Sequence, residues 1–203
     1  MPADSGVLLI GGVSHTGKST LAGAIAERLG WRSLSTDQLA RHPGRPWRDD
    51  GSSLPDDVVA HYQRLAPEQL ADEVMDHYRI NVWPVVAALV KSHQNNPFDP
   101  HLVFEGSAIL PDRASTIALR RVRSVFLRAD ADFLSQRIRF SSGYVQKSAQ
   151  DQQMIDAFIA RALLLNNQLE AQAKKAGVSV YDAADSNLLE QILAVASALS
   201  NND

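Results

Sequence analysis

Cysteine is absent from this 203-residue chain. With it go disulfides, thiolate-bound zinc and thiol nucleophiles. No apolar run approaches the roughly 18 residues that a membrane-spanning helix needs. The first residues, Met-Pro-Ala-Asp-Ser-Gly, carry neither a basic stretch nor an apolar core of the secretory kind. The expectation is therefore a soluble, cytoplasmic protein. Internal repeats and low-complexity tracts are lacking too. There is no excess of positive charge: the formal net charge is −3, which argues against nucleic acid as an obligatory partner. Lysine is scarce, with 5 residues against 15 arginines. Arginine offers a planar fork for phosphate and carboxylate, although base composition of the genome would produce the same bias.

What is present begins with Gly12-Val-Ser-His-Thr-Gly-Lys-Ser19, a complete G-x-x-x-x-G-K-[ST] phosphate-binding loop of Walker A type. The apolar run Val7–Ile10 precedes it. A helical pattern follows, with Leu21, Ile25 and Leu29 on one face and Gly30 as the stop. Gly12 and Gly17 allow the backbone to curl with its N–H groups inward, and the next helix adds its positive end. Ser14, Thr16, Gly17 and Thr20 complete the phosphate-facing set. Lys18 is placed to hold the β- and γ-phosphates, and Ser19 to ligate Mg²⁺. ATP and Mg²⁺ are the cofactors expected.

Strand patterns fall at 7–11, 32–35, 102–105, 122–127 and 178–182, with helical patterns between them. Alternating β and α elements predict one α/β domain over 1–203, with a parallel sheet covered on both faces. Two connections exceed a simple crossover. Residues 38–100 begin with a Pro/Gly/Arg loop and continue as helices expected at 56–65, 67–82 and 84–93, broken or kinked at Pro84. Residues 132–177 hold a short helix, a polar stretch at Ser141-Ser142-Gly143 and a long helix over about 149–175. Long insertions of this kind are usually functional. The first is expected to bind substrate, and 138–150 to act as a lid.

Ligands of such sheets bind beyond the carboxyl ends of the strands. Asp37 ends the second strand, where a carboxylate can accept or orient the proton of an attacking hydroxyl; the competing use is a helix N-cap. Glu105 ends the third strand before Gly106, which admits a ligand close to the backbone, so Glu105 can reach Mg²⁺ through water or a substrate hydroxyl. Arg41, Arg45 and Arg48 lie together in a loop with His42 and Trp47 and could form an anion pocket; pairing with the acidic residues that follow is the alternative. Arg137 and Arg139 follow the fourth strand, where an arginine can stack on adenine or hold a phosphoryl group. Arg161 continues the stripe Met154–Phe158–Leu165 on the long helix and either reaches inward to an anion or snorkels to solvent. Arg120-Arg121-x-Arg123 lies at the opposite end of the sheet and reads as a solvated face. His15, in the loop but off the motif, is assigned nothing.

Together, Gly12–Ser19, the Ser-Thr-Asp-Gln-Leu-Ala-Arg run at 35–41, Phe-Glu-Gly at 104–106 and Leu134-x-x-Arg137 resemble P-loop kinases of the nucleoside-monophosphate-kinase-like superfamily. The nearest likeness is to small kinases of the 2-phosphoglycerate-kinase, zeta-toxin and polynucleotide-kinase kind. The resemblance implies strand order 2-3-1-4-5, ATP-Mg²⁺, Asp37 as base, Arg137 near adenine or in the lid, and the turn at Asp182-Ala183 bordering the adenine. Polynucleotide kinases usually place a phosphate-binding arginine three residues after the aspartate; here Ala40 stands there and Arg41 follows. The expected activity is phosphorylation of a hydroxyl on a small, anionic metabolite. The alternatives are a nucleotide or nucleic-acid 5′-kinase and a nucleotide-dependent regulatory ATPase. The guanine signature Asn/Thr-Lys-x-Asp is absent, as is Asp-x-x-Gly after strand 3, which disfavours a GTPase switch.

Overall fold

The computed structural model describes residues 5–39, 44–48, 50, 52–96, 99–117 and 119–200. Its centre is strand β1, Val7–Gly12, buried at every position. A parallel strand with neighbours on both edges and layers on both faces needs a continuous apolar run rather than an alternating one, and Val7–Ile10 supplies it. Strands β2 (Arg32–Ser35), β3 (Leu102–Glu105), β4 (Val122–Arg128) and β5 (Ser179–Asp182) complete the sheet. Every pairing is parallel and the order is β2-β3-β1-β4-β5. The order and all five strand positions match expectation to within a residue.

Successive side chains of β1 face opposite layers. Leu8 and Ile10 pack with Ile25 of helix α1 (Lys18–Leu29) and Ile192 and Ala196 of helix α8 (Leu188–Ser200). Val7 and Leu9 face Val86 and Val90 on the other side. Each fully buried aliphatic side chain stabilises by about 1.5–3 kcal/mol relative to exposure, so this twofold burial fixes the strand's register and the position of the loop that follows it.

The chain from 38 to 100 forms helices α2 (Asp56–Arg64), α3 (Pro67–His77) and α4 (Trp83–Gln94). The expected break at Pro84 takes the form of a π-turn, Tyr78–Val82, in which the Trp83 N–H donates to the Tyr78 carbonyl. Pro84 has no N–H for the carbonyl four residues back and its ring crowds that carbonyl. Widening the preceding turn by one residue accommodates both effects and keeps the two helices joined. Trp47, Val58, Tyr62 and Leu70 of this insertion share a core with Ile138, Met154, Ile155 and Phe158.

The second insertion consists of helix α6 (Ala131–Ser142), a 3₁₀ turn (Tyr144–Gln146) and helix α7 (Ala149–Lys175). Asp130 caps α6 by accepting from the Phe133 N–H at 2.7 Å, and Ser148 caps α7 by accepting from the Asp151 N–H at 3.2 Å. Asp156 of α7 accepts from Arg139 at 3.2 Å and from the Tyr144 hydroxyl at 2.7 Å, which ties the turn to the long helix. A short helix α5 (Pro111–Ala114) follows β3.

One expectation is corrected. Arg120 and Arg123 are exposed, but Arg121 is buried and donates to the Leu199 carbonyl of α8. Its guanidinium satisfies a carbonyl near the end of the last helix, so Arg120–Arg123 is not a uniformly solvated face. The strand pattern missed this because Leu199 is 78 residues away in sequence.

Candidate active site

The phosphate loop leaves β1 at Gly12, with φ of 150°, and enters α1 through Gly17, with φ of 86°. Inside it, the Thr16 hydroxyl and the Lys18 ammonium both donate to the Val13 carbonyl, at 2.9 and 2.8 Å. Lys18 is only 7% exposed. Burial pushes its pKa below the ordinary lysine value, and the carboxylates of Glu105 and Asp37 partly oppose that shift. A charge held this reluctantly is strengthened by any anion placed against it.

Glu105, at the end of β3, is buried and accepts from the Ser19 hydroxyl at 3.0 Å. One hydroxyl and one carboxylate converging at the start of α1 form a set of hard oxygen donors. That set fits Mg²⁺, which keeps several waters and takes the rest of its ligands from substrate phosphates. Among the described residues no cluster of three or more His, Asp or Glu gathers as a metal cage. Next to Glu105, Gly106 has φ of +152°, and a Cβ on it would lie 1.8 Å from Thr36 Oγ1. Here the ends of β2 and β3 are pressed together.

Asp37 lies at that junction. The capping task falls to Ser35, whose hydroxyl accepts from the Asp37 N–H at 3.3 Å. The Asp37 side chain is exposed and lines two cavities. The smaller, about 250 Å³, covers the phosphate loop and includes Lys18, Ser19, Thr20, Glu105 and Arg137. The larger, about 600 Å³, extends under the insertion to His77, Tyr78, Phe158 and Arg161. Ser14, Asp37, Arg45 and Ser107 border both.

Arg161 turns inward. It is 6% exposed, donates to the Tyr62 hydroxyl at 3.0 Å, and its guanidinium lies 4.4 Å from the Phe158 ring centroid. Tyr62 in turn donates to the Gly44 carbonyl at 2.5 Å; burial raises its pKa, with Arg161 opposing. Arg161 Nε has no hydrogen-bond partner among the described residues. Among the described residues, no carboxylate makes a salt bridge with Arg161. A buried cation without a carboxylate partner among the described residues is costly, and this one stands at the wall of the larger cavity.

Arg45 borders both cavities, and its guanidinium lies 5.8 Å from the Trp47 ring centroid. Arg41 and His42 lie outside the described residues. Arg48 borders neither of these two cavities. Arg137 sits over Phe133 at 5.1 Å and reaches the edge of Gly17. Asp182 is engaged at the end of β5: Arg128 donates to one carboxylate oxygen at 2.5 Å and the Ala184 N–H to the other at 2.9 Å. It lines neither cavity. Ser107, Tyr78, Tyr62 and His15 had no signal in the sequence. Tyr78 and Tyr62 stand at the site because of how the insertion packs, while His15 in the phosphate loop and Ser107 beyond β3 hold no motif position.

A five-stranded parallel sheet in this order, with a phosphate loop after the central strand and carboxylates at the ends of β2 and β3, defines the P-loop kinase fold of nucleoside-monophosphate-kinase type. Comparison with solved structures gives the particular neighbours. A gluconokinase from Sinorhizobium meliloti 1021 superposes with a TM-score of 0.51 at 20% identity, over 98% of this chain and 93% of that one. Shikimate kinase from Aquifex aeolicus gives 0.53 at 13%, over 97% and 99%. Shikimate kinase from Bacteroides thetaiotaomicron gives 0.50 at 18%, over 97% and 98%. No protein-family model matches the chain, and no curated protein matches it in sequence.

Proposed function

We propose that this chain is an ATP-dependent kinase that phosphorylates a hydroxyl of a small, anionic metabolite. The observation that carries this reading is Arg161: a buried guanidinium without a carboxylate partner among the described residues, walling the cavity that also holds Asp37 and meets the phosphate loop. Neighbours of the same fold that are named as kinases of small molecules agree with it. A phosphorylated hydroxy acid of the 2-phosphoglycerate kind suits two cationic positions, Arg161 and Arg45. Arg41 is the further candidate for anion contact.

In this reading the loop N–H groups and Lys18 bind the β- and γ-phosphates. Mg²⁺, held by Ser19 and through water by Glu105, supplies charge neutralisation when bound. Arg161 and Arg45 fix the acceptor's anion so that its hydroxyl lies against Asp37, which accepts or orients the proton. Arg137 covers the phosphoryl side from α6. Catalysis is then largely positioning and charge compensation. Residues 38–100 supply acceptor contacts, and closure of 138–150 excludes water.

A screen of hydroxy acids and their phosphates for ADP release, run on the wild type and on Lys18→Ala, tests this directly. The expected result is acceptor-dependent ADP release lost in Lys18→Ala. Asp37→Asn should lower kcat by about 10²–10⁴-fold while retaining ATP binding. Unchanged turnover in Asp37→Asn removes it as base, and a screen without acceptor-dependent release removes the kinase reading.

A further inference from the structure

His15 has φ of +68°, and among the described residues it is the one non-glycine with positive φ. An L-residue in this region costs about 1–2 kcal/mol, and such strain persists where surrounding contacts hold it. Here both ring nitrogens are engaged: Nδ1 with the Ser14 hydroxyl at 2.9 Å and Nε2 with the Ser141 hydroxyl at 2.8 Å. The ring also lies 5.8 Å from the Trp47 ring and 6.1 Å, edge-on, from the Phe158 ring. Trp47 and Phe158 meet each other at 5.1 Å.

These contacts reach four parts of the site at once. Ser14 belongs to the phosphate loop. Ser141 is one helical turn beyond Arg137 on the same face of α6. Trp47 carries Arg45 against its ring, and Phe158 carries Arg161. On the donor side, the Val13 carbonyl holds both Thr16 and Lys18. Phosphates that draw on Lys18 compete with that carbonyl, so the backbone from 13 to 16 responds to them.

We propose that His15 is a positioning residue that couples nucleotide on the phosphate loop to the acceptor side, through Trp47 and Arg45, and to Arg137 through Ser141. The proposal rests on the kinase reading above and adds a role that the loop motif does not contain. Its consequence is that acceptor-free hydrolysis is held down until both halves are set.

The test uses a non-hydrolysable ATP analogue with Mg²⁺, following tryptophan emission and, separately, binding by calorimetry. In the wild type the analogue should shift the emission, and Trp47→Phe should remove the shift. His15→Gly is expected to fold, because glycine adopts this φ without strain, and to bind the analogue with the Trp47 shift reduced at least about threefold. Ser141→Ala should reduce the shift in part, and the double variant should be no worse than His15→Gly alone. With an acceptor from the screen, His15→Gly should raise acceptor KM about fivefold or more and increase the ratio of acceptor-free to acceptor-dependent ADP release. A wild-type Trp47 shift in His15→Gly, or no Trp47 shift in the wild type, overturns the coupling alone. Loss of analogue binding in His15→Gly would make His15 part of the donor site and also overturn it. Failure of the wild type to bind the analogue overturns the kinase reading and the coupling with it.

Discussion

Lys18 is an ammonium that the fold strips of water before a phosphate arrives. Its pKa lies below the ordinary lysine value because of that burial, and the carboxylates of Glu105 and Asp37 recover part of the loss. Phosphates bound against it favour the charged form further, so the bound pKa exceeds the free one. Between those two values, binding takes up a fraction of a proton, and affinity falls as pH rises through the window. Binding enthalpy for the ATP analogue should therefore depend on buffer ionisation enthalpy between the depressed pKa of the free protein and the higher one of the complex, and not below the depressed pKa. Buffer-independent enthalpy over that range would refute the assignment of Lys18 as the phosphate contact. For stability the same shift has a definite sign. The folded chain binds fewer protons at this site than the unfolded one, so its contribution to stability rises with pH between the depressed pKa and the ordinary lysine value. Lys18, Asp37 and Glu105 were legible in the sequence because a phosphate loop fixes one end of the sheet and strand-end carboxylates are read from that origin. Tyr62, Ser107 and His15 were not. Tyr62 meets Arg161 across 99 residues and His15 meets Ser141 across 126, and no local pattern encodes those contacts.

At the scale of elements, the sheet was legible and the joints were not. Apolar runs bounded by polar turns mark parallel strands, and all five lie within a residue or two of where the runs place them. The π-turn at Tyr78–Val82 could be anticipated only as an irregularity at Pro84. The widened turn nevertheless puts Tyr78 and Val82 on the wall of the larger cavity. The buried Arg121 shows the converse case, a run of charges whose middle member is claimed by a distant helix. The tightest joint is between β2 and β3, where Gly106 passes under Thr36. A Cβ at Gly106 would meet Thr36 Oγ1 at 1.8 Å and Thr36 Cβ at 2.7 Å, at a φ that side chains rarely adopt. Gly106→Ala should therefore cost at least about 2–4 kcal/mol, from overpacking and backbone strain together. Thermal unfolding would show it as a lower Tm. Because Thr36 adjoins Asp37 and Gly106 adjoins Glu105, activity below the melting range should fall as well. A variant with wild-type Tm would contradict the close approach of these two strand ends.

Across the whole molecule, the proposed function assigns donor and acceptor to different elements that meet along one seam. In that reading the donor side is the β1–α1 loop with Glu105, and the acceptor side is the insertion packed on α7, with Arg161 and Tyr62. Among the described residues, Ser14, Asp37, Arg45 and Ser107 border both cavities. Removing a residue that contacts one ligand alone should then leave binding of the other, measured by itself, intact. Lys18→Ala should abolish measurable binding of the ATP analogue while an acceptor from the ADP-release screen still binds. Arg161→Met should do the reverse, weakening that acceptor by about 2 kcal/mol or more, the scale of a lost charge-assisted hydrogen bond, with analogue affinity unchanged. Met fills much of the space of the arginine stem and removes a buried cation that has no carboxylate partner among the described residues. Tm should therefore hold or rise, which separates loss of binding from loss of fold. Calorimetry of both ligands against both variants gives four affinities. Equal weakening of analogue and acceptor in Arg161→Met, or a drop in its Tm of the size expected for a broken core, would mean that Arg161 supports the fold and does not anchor the acceptor.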